Sequence, residues 1–190
     1  MMGGLKRLGL LLGLTLIFAS PVAATLIVAM DMEALVDRSD VIVLAEVVSR
    51  ESSWDEHGRI VTDVTLRVNE QLRGGVAAGG LLTIRCHGGA IGERGMHVAG
   101  EPTFSSRESL VFAYHAASGR LRPTGMSQGV MPIRRDQGSA AIVMPGGAGL
   151  ELTRPSTGTL EPGRAALTGP APVEAVLDRV RRLIQASGNR

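Results

Sequence analysis

Cys86 and His87 stand side by side at the end of an apolar run, Leu81-Leu82-Thr83-Ile84-Arg85-Cys86-His87. A thiol beside an imidazole is the pair that cysteine nucleophiles use, the imidazole drawing off the thiol proton. On a strand, however, adjacent side chains point to opposite faces, so the two do not naturally meet. The plainer reading is a small buried cysteine finishing a core strand. It carries more weight, because free cysteine is among the most buried residue types. His87 and His97 bracket Glu93, with Glu101 just beyond. Together with Cys86 these are zinc-ligand types, but their spacing fits no compact metal motif. No metal or other cofactor is therefore expected. His57 and His115 are isolated and read as solvated loop histidines.

Three other patterns invite chemistry and are better explained without it. Gly125-Met126-Ser127-Gln128-Gly129 has the G-x-S-x-G form, but a nucleophile elbow needs the strand–turn–helix of an α/β-hydrolase, and this chain shows no α/β alternation. Gly88, Gly89 and Gly92 lack the strand, lysine and helix of a phosphate-binding loop; they read as turn glycines. Asp55-Glu56 is an acid pair in a polar turn, which suits a solvated hairpin tip. No catalytic residue is assigned, and the chain is not expected to be an enzyme.

The elements that would position these residues are mostly strands. Asp31 can cap a short helix over 31–38, with Met32, Leu35 and Val36 on one stripe. Val41 to Val48 is a β-branched run that reads as a buried strand. Ile60 to Val68 alternates apolar and polar residues, giving a strand with one wet face, and the two form a long hairpin. Residues 81–86 and 109–114 read as a third and fourth strand, 120–123 as a fifth, and 129–133 as its continuation or a sixth. Residues 88–103, with five glycines and Pro102, read as a long irregular loop. The barrel domain is expected over 31–135, a Gly/Ala/Pro-rich linker over 136–171 and an amphipathic helix over 172–187. Pro172 suits the first helical position. Val173, Val176, Leu177, Val180 and Ile184 form that helix's apolar face, and Arg179, Arg181 and Arg182 sit near its end.

Residues 1–24 have the three parts of a secretory signal peptide: Lys6 and Arg7, the apolar run Leu8 to Phe18, and the small residues Ala19 to Ala24. Cleavage after Ala24 would leave Thr25 as the N-terminus and no membrane anchor. The alternative, an uncleaved anchor, runs short of the ~20 apolar residues of a span. Removing Lys6 and Arg7 turns the net charge of +2 into 18 arginines against 18 carboxylates. Nucleic-acid binding thereby loses its electrostatic motive. With one cysteine in the whole chain, no internal disulfide can form, and stability must come from the core.

The stretch Ser39-Asp40-Val41-Ile42-Val43-Leu44-Ala45-Glu46-Val47 resembles the first strand of netrin-like domains, the OB-type barrel shared with tissue inhibitors of metalloproteinases. Val68 to Gly74 resembles the end of their second strand. Gly100-Glu101-Pro102-Thr103-Phe104 with Glu108 to Phe112 resembles a later segment, and Gly125 to Gly129 sits where they have a turn. These runs are also similar to ones found together in exported bacterial proteins. The resemblance covers about residues 35–133 and implies an all-β, five- to six-stranded OB-type (netrin-like) barrel. It does not carry over inhibition: those inhibitors start with a zinc-chelating cysteine, and here Thr25 is expected instead. Position 45 is alanine and 46 is glutamate where the family has glycine.

The expected function is an exported, noncatalytic binding module, secreted or periplasmic. Its partner would be another extracytoplasmic protein, such as a protease or envelope component. The expected contact surface is the loop 87–107 with the 51–58 tip, and its candidate binding residues are Trp54, His87, His97 and Phe104. Trp54 and Phe104 are expected near the surface. Two alternatives stay open: a metal- or thiol-dependent enzyme centred on Cys86, His87 and His97, and a purely structural envelope protein.

Overall fold

The computed structural model describes residues 26–135, 140–147, 150–156 and 159–188. The expected signal peptide, its cleavage site and the Thr25 terminus lie outside the described residues.

Asp31 accepts a hydrogen bond from the Ala34 N–H at 2.8 Å and so starts the first helix. In chain order the elements are β1 (Leu26–Val28), α1 (Met32–Asp37), β2 (Val41–Trp54), β3 (Ile60–Arg73), β4 (Leu81–His87), β5 (Gly89–Ile91), β6 (Arg94–Met96), β7 (Glu108–His115) and β8 (Leu121–Pro123). A 3₁₀ turn (Met126–Gly129) then leads into β9 (Val130–Arg134), β10 (Ile142–Val143), β11 (Glu151–Ser156), β12 (Thr159–Pro162), β13 (Ala171–Pro172) and α2 (Val173–Gly188).

Five strands close a barrel in the order β7-β2-β3-β4-β8, with β8 returning to β7. β4 meets β8 in parallel and the other neighbours are antiparallel. This is the strand order of an OB-type barrel. β7 splits its second edge: Glu108–Val111 pair with β9 and Ala113–His115 with β8. The split lets a wing of β9, β10 and β13 continue outward from the barrel wall. Register shifts along the β2–β3 hairpin bend it around the barrel.

The continuous apolar run at the start of β2 follows from two cores on its two faces. Val41, Val43 and Ala45 point into the barrel beside Val64, Leu66, Ile84, Cys86 and Val111. Ile42 and Leu44 point outward beneath α1, α2, Leu110 and Phe112. A strand buried on both sides needs no polar alternation. α2 buries Val173, Val176, Leu177 and Val180 in this outer core, and Arg181 donates to Glu70 on β3 at 2.6 Å.

Three sequence expectations change here. The stretch 136–171 is not a plain linker where it is described: it supplies β10, β11, β12 and the start of β13, and Val143 is fully buried. Backbone pairing such as Met144 N–H to Pro132 O at 2.8 Å holds it in place, and composition does not report that pairing. Residues 136–139, 148–149 and 157–158 of the stretch lie outside the described residues. Pro172 ends β13, pairing with Ile142, and Val173 begins the helix. The arginines 179, 181 and 182 fall in mid-helix, since α2 runs to Gly188 and its last turn carries no basic residue.

Candidate functional site

The β2–β3 hairpin extends past the barrel, and the loop after β4 folds back over it. Two glycines make that fold possible. Gly88 and Gly89 have φ of 91° and 134°, values that favour glycine. A Cβ at Gly89 would lie 2.3 Å from Thr62 Oγ1 and 2.5 Å from Ser52 Oγ. Thr62 Oγ1 donates to Gly88 O at 2.7 Å, which ties the loop to β3. From there β5 and β6 form a small hairpin, a regular feature inside the loop expected to be irregular. The far side of the loop is held by the G-x-S-x-G turn, where the Ser127 N–H donates to Gly100 O at 2.8 Å. Ser127 thus anchors by its backbone. Its neighbour Gln128 is buried, its Oε1 accepting from Met30 N–H at 2.9 Å and its Nε2 donating to Val28 O at 3.1 Å.

Between hairpin and loop lies a cavity of about 290 Å³. Cys86, His87, His97 and Glu101 all line it, so the structure brings to one cavity four of the five residues that the sequence marked for metal or thiol chemistry and leaves Glu93 out. Their states differ. Cys86 is 3% exposed, and burial, helped by the Glu101 charge, pushes its thiol up to about 12. A thiol so protonated at neutral pH is a weak nucleophile, and Cys86 packs in the barrel core. His97 and Glu93 are exposed. Among the described residues no three His, Cys, Asp or Glu side chains converge as a metal set.

Glu101 is the unusual member. Its side chain is 5% exposed, and its Oε1 accepts from Arg122 Nη2 at 2.6 Å. The other guanidinium nitrogen, Nη1, engages His87 Nε2. Burial raises the Glu101 pKa; Arg122 and the backbone N–H of His87 oppose this and do not cancel it. Burial and then the Arg122 charge lower the His87 pKa. Two buried atoms of this cluster make no hydrogen bond of ordinary geometry: Glu101 Oε2 and His87 Nδ1. Sequence reasoning missed Arg122. Nothing local separates it from Arg120, and its partners come from the loop and from β4.

The expected binding residues divide. Trp54 is 48% exposed at the end of β2, as expected. It borders a second cleft of about 540 Å³ with Arg59, Arg85, His87, Arg120 and Arg122. Phe104 is not a surface residue: it is 3% exposed and packs in the barrel core. It turns inward with φ of 48°, and its carbonyl accepts from Arg50 of β2. No protein-family model and no curated protein matches this chain. The site has to be read from its own geometry.

The remaining acids and histidines have local roles. Asp55 accepts from the backbone N–H groups of His57 and Arg59 at 2.9 and 2.8 Å. Led by the Arg59 N–H, these bonds hold its pKa at about 2, so it shapes the hairpin tip as an ionised acceptor. His57 lies beside Glu56, and His115 beside Asp40 at 3.3 Å. Neither histidine lines either cavity.

Proposed function

We propose that the chain is an exported, noncatalytic binding module that contacts another extracytoplasmic protein through the 51–58 hairpin tip and the loop 87–107. The observation that carries this reading is the joint placement of the two segments. Gly89 rests against Ser52 and Thr62, so tip and loop form one surface held by a rigid barrel, with Trp54 half exposed in the arginine-lined cleft beside it. Loops on a fixed scaffold are where recognition concentrates, and a partly exposed tryptophan beside arginines has the composition of an interface anchor. The buried, protonated state of Cys86 supports the noncatalytic reading over a thiol enzyme. No helix among the described residues is long and apolar enough to cross a membrane.

The test is capture of partners from an extracytoplasmic extract by the folded protein, with Trp54→Ala alongside. Trp54 is in no buried cluster, so the variant should melt like the parent, while captured partner falls about tenfold or more, as for a central anchor. Equal capture by both proteins would remove the reading.

A further inference from the structure

We infer that the cleft of about 540 Å³ beside Trp54 seats an acidic peptide segment, whose side-chain carboxylates are received by the guanidinium groups of Arg120, Arg59 and Arg85. The inference rests on the proposed function for the source of that segment, the partner protein, and names what the partner presents.

The cleft opens between the β2–β3 tip and the turn that joins β7 to β8. Arginines line it from three directions: Arg59 from the tip, Arg85 from β4, and Arg120 and Arg122 from the start of β8. A guanidinium carries five N–H donors and no acceptor. The acids around the cleft are largely occupied. Asp55 Oδ1 accepts from the backbone N–H groups of His57 and Arg59, and its Oδ2 accepts from Arg59 Nε and Nη2. Asp63 accepts from Arg85 Nε and Nη2 at 2.7 and 2.5 Å. Glu101 accepts from Arg122 Nη2. Only Glu56 of these acids is open, and its side chain is 86% exposed beside His57.

Donors, by contrast, are left over. Nη1 of Arg59 and Nη1 of Arg85 have no hydrogen-bond partner among the described residues, since each arginine meets its acid through Nε and Nη2. Arg120 is exposed and makes no hydrogen bond or ion pair among the described residues; its charge reaches Asp63 at longer range. The imbalance is felt at His87, which also lines the cleft. After burial, the charges of Arg122, Arg59 and Arg85 lower the His87 pKa, and Asp55 alone opposes them, more weakly than Arg122. The arginines therefore outweigh the acids inside the cleft.

This inventory selects the ligand. A basic segment would find Glu56 and little else. A polyphosphate would press dense charge against Asp55 and Glu56 in the same wall. An acidic peptide brings one carboxylate per side chain, spaced out along a neutral backbone, which suits one unpaired guanidinium and two half-used ones. Charge-assisted hydrogen bonds of this kind are the strong ones. Trp54, 48% exposed, supplies apolar surface for the rest of the segment, and tryptophan with arginine is the pairing enriched in interface anchors.

Trp54 is also the only tryptophan in the chain, so its emission reports on this cleft. The test titrates the folded protein with blocked tetrapeptides of glutamate, of glutamine and of lysine, and with inorganic tripolyphosphate. The glutamate peptide should shift the emission to the blue and saturate. The glutamine and lysine peptides should bind at least tenfold more weakly, and tripolyphosphate more weakly than the glutamate peptide. Arg120→Gln should weaken the glutamate peptide about tenfold, the loss of one charge-assisted contact. It should leave the melting temperature unchanged, because the exposed Arg120 side chain holds nothing in place. If that variant does not fold, the ranking of the four probes on the wild type decides alone. Equal affinity for the glutamate and glutamine peptides would overturn the inference. So would tighter binding of tripolyphosphate, or a folded Arg120→Gln protein that binds the glutamate peptide as the wild type does. Partner capture that depends on Trp54, without any preference for the glutamate peptide, would remove this inference and keep the proposed function. A glutamate preference with equal capture by wild type and Trp54→Ala would keep the chemistry of the cleft and remove the proposed function.

Discussion

Arg122 holds the nearly buried carboxylate of Glu101 at 2.6 Å and with its other nitrogen engages His87. One cation from β8 thus neutralises the charge of a loop residue and fixes a histidine on β4. Removing one member of a buried ion pair costs more than the pair is worth, because the other charge stays behind uncompensated. Arg122→Met is expected to cost ~3–5 kcal/mol at neutral pH by chemical denaturation. The cost should shrink near pH 5, where the stranded Glu101 can take a proton. A loss that is the same at both pH values would mean that the carboxylate is not what the arginine compensates.

The two titrating partners of Arg122 pull stability in opposite directions in acid. Burial raises the Glu101 pKa above its ordinary 4.5. From that value up to its folded pKa, the folded chain keeps a proton that the unfolded chain has lost, so this contribution to stability fades as pH rises. Burial lowers the His87 pKa below its ordinary 6.5. From 6.5 down to its folded pKa the unfolded chain holds the extra proton, so this contribution fades as pH falls. Glu101→Gln removes the first and leaves the second. Its melting temperature should therefore fall more steeply than that of the wild type as pH goes from 6.5 to 4.5. Parallel curves would contradict the assignment.

Cys86 gives a direct chemical readout. With its thiol pushed up to about 12, the thiolate fraction at pH 8 is roughly three orders of magnitude below that of an unperturbed cysteine, and burial blocks access as well. Iodoacetamide should leave the native protein unmodified over hours at pH 8 and label it fully in 6 M guanidinium. Fast native labelling would revive the thiol-enzyme alternative.

At Gly89 the loop after β4 lies directly against the β2–β3 hairpin. Gly89→Ala would put a methyl group within 2.5 Å of two hydroxyl oxygens, at a φ of 134°. A stability loss of ~1–3 kcal/mol is expected, with accelerated hydrogen exchange confined to residues 87–98. An unchanged melting curve would show that the loop does not need this close approach.

Much of the barrel was legible because its cause is local. Val64, Leu66 and Val68 alternate with polar neighbours, and the run from Val41 to Ala45 is apolar on both faces, so the strands announce themselves. The site was half legible. Cys86, His87, His97 and Glu101 stood out by residue type, and they do line one cavity. Arg122 did not, since its role comes from two residues far away in sequence. Phe104 misled because Thr103, Ser105 and Ser106 around it are polar; its burial comes from closing the barrel end. Ile142 and Val143 misled because glycine and proline around them suggest a tether, while the pairing with β9 that orders them is long-range. Gln128 sits in a pattern that suggests a hydrolase turn, but its buried amide holds the N-terminal strand instead.

α2 tests whether the barrel and the segment beyond it form one cooperative unit. Leu177 is 1% exposed and packs in the outer core with Met32, Leu35 and Phe112. That core covers one face of β2, whose other face lines the barrel interior. An amphipathic helix of this length gains little stability alone, so its order depends on the docking. Leu177→Ala should cost ~2–5 kcal/mol, as for other buried leucines. If barrel and helix are one unit, the barrel should unfold at the same lowered midpoint, with Trp54 fluorescence and helical circular dichroism moving together. A helix signal that melts first, with the tryptophan transition unmoved, would show that the barrel stands without its cover.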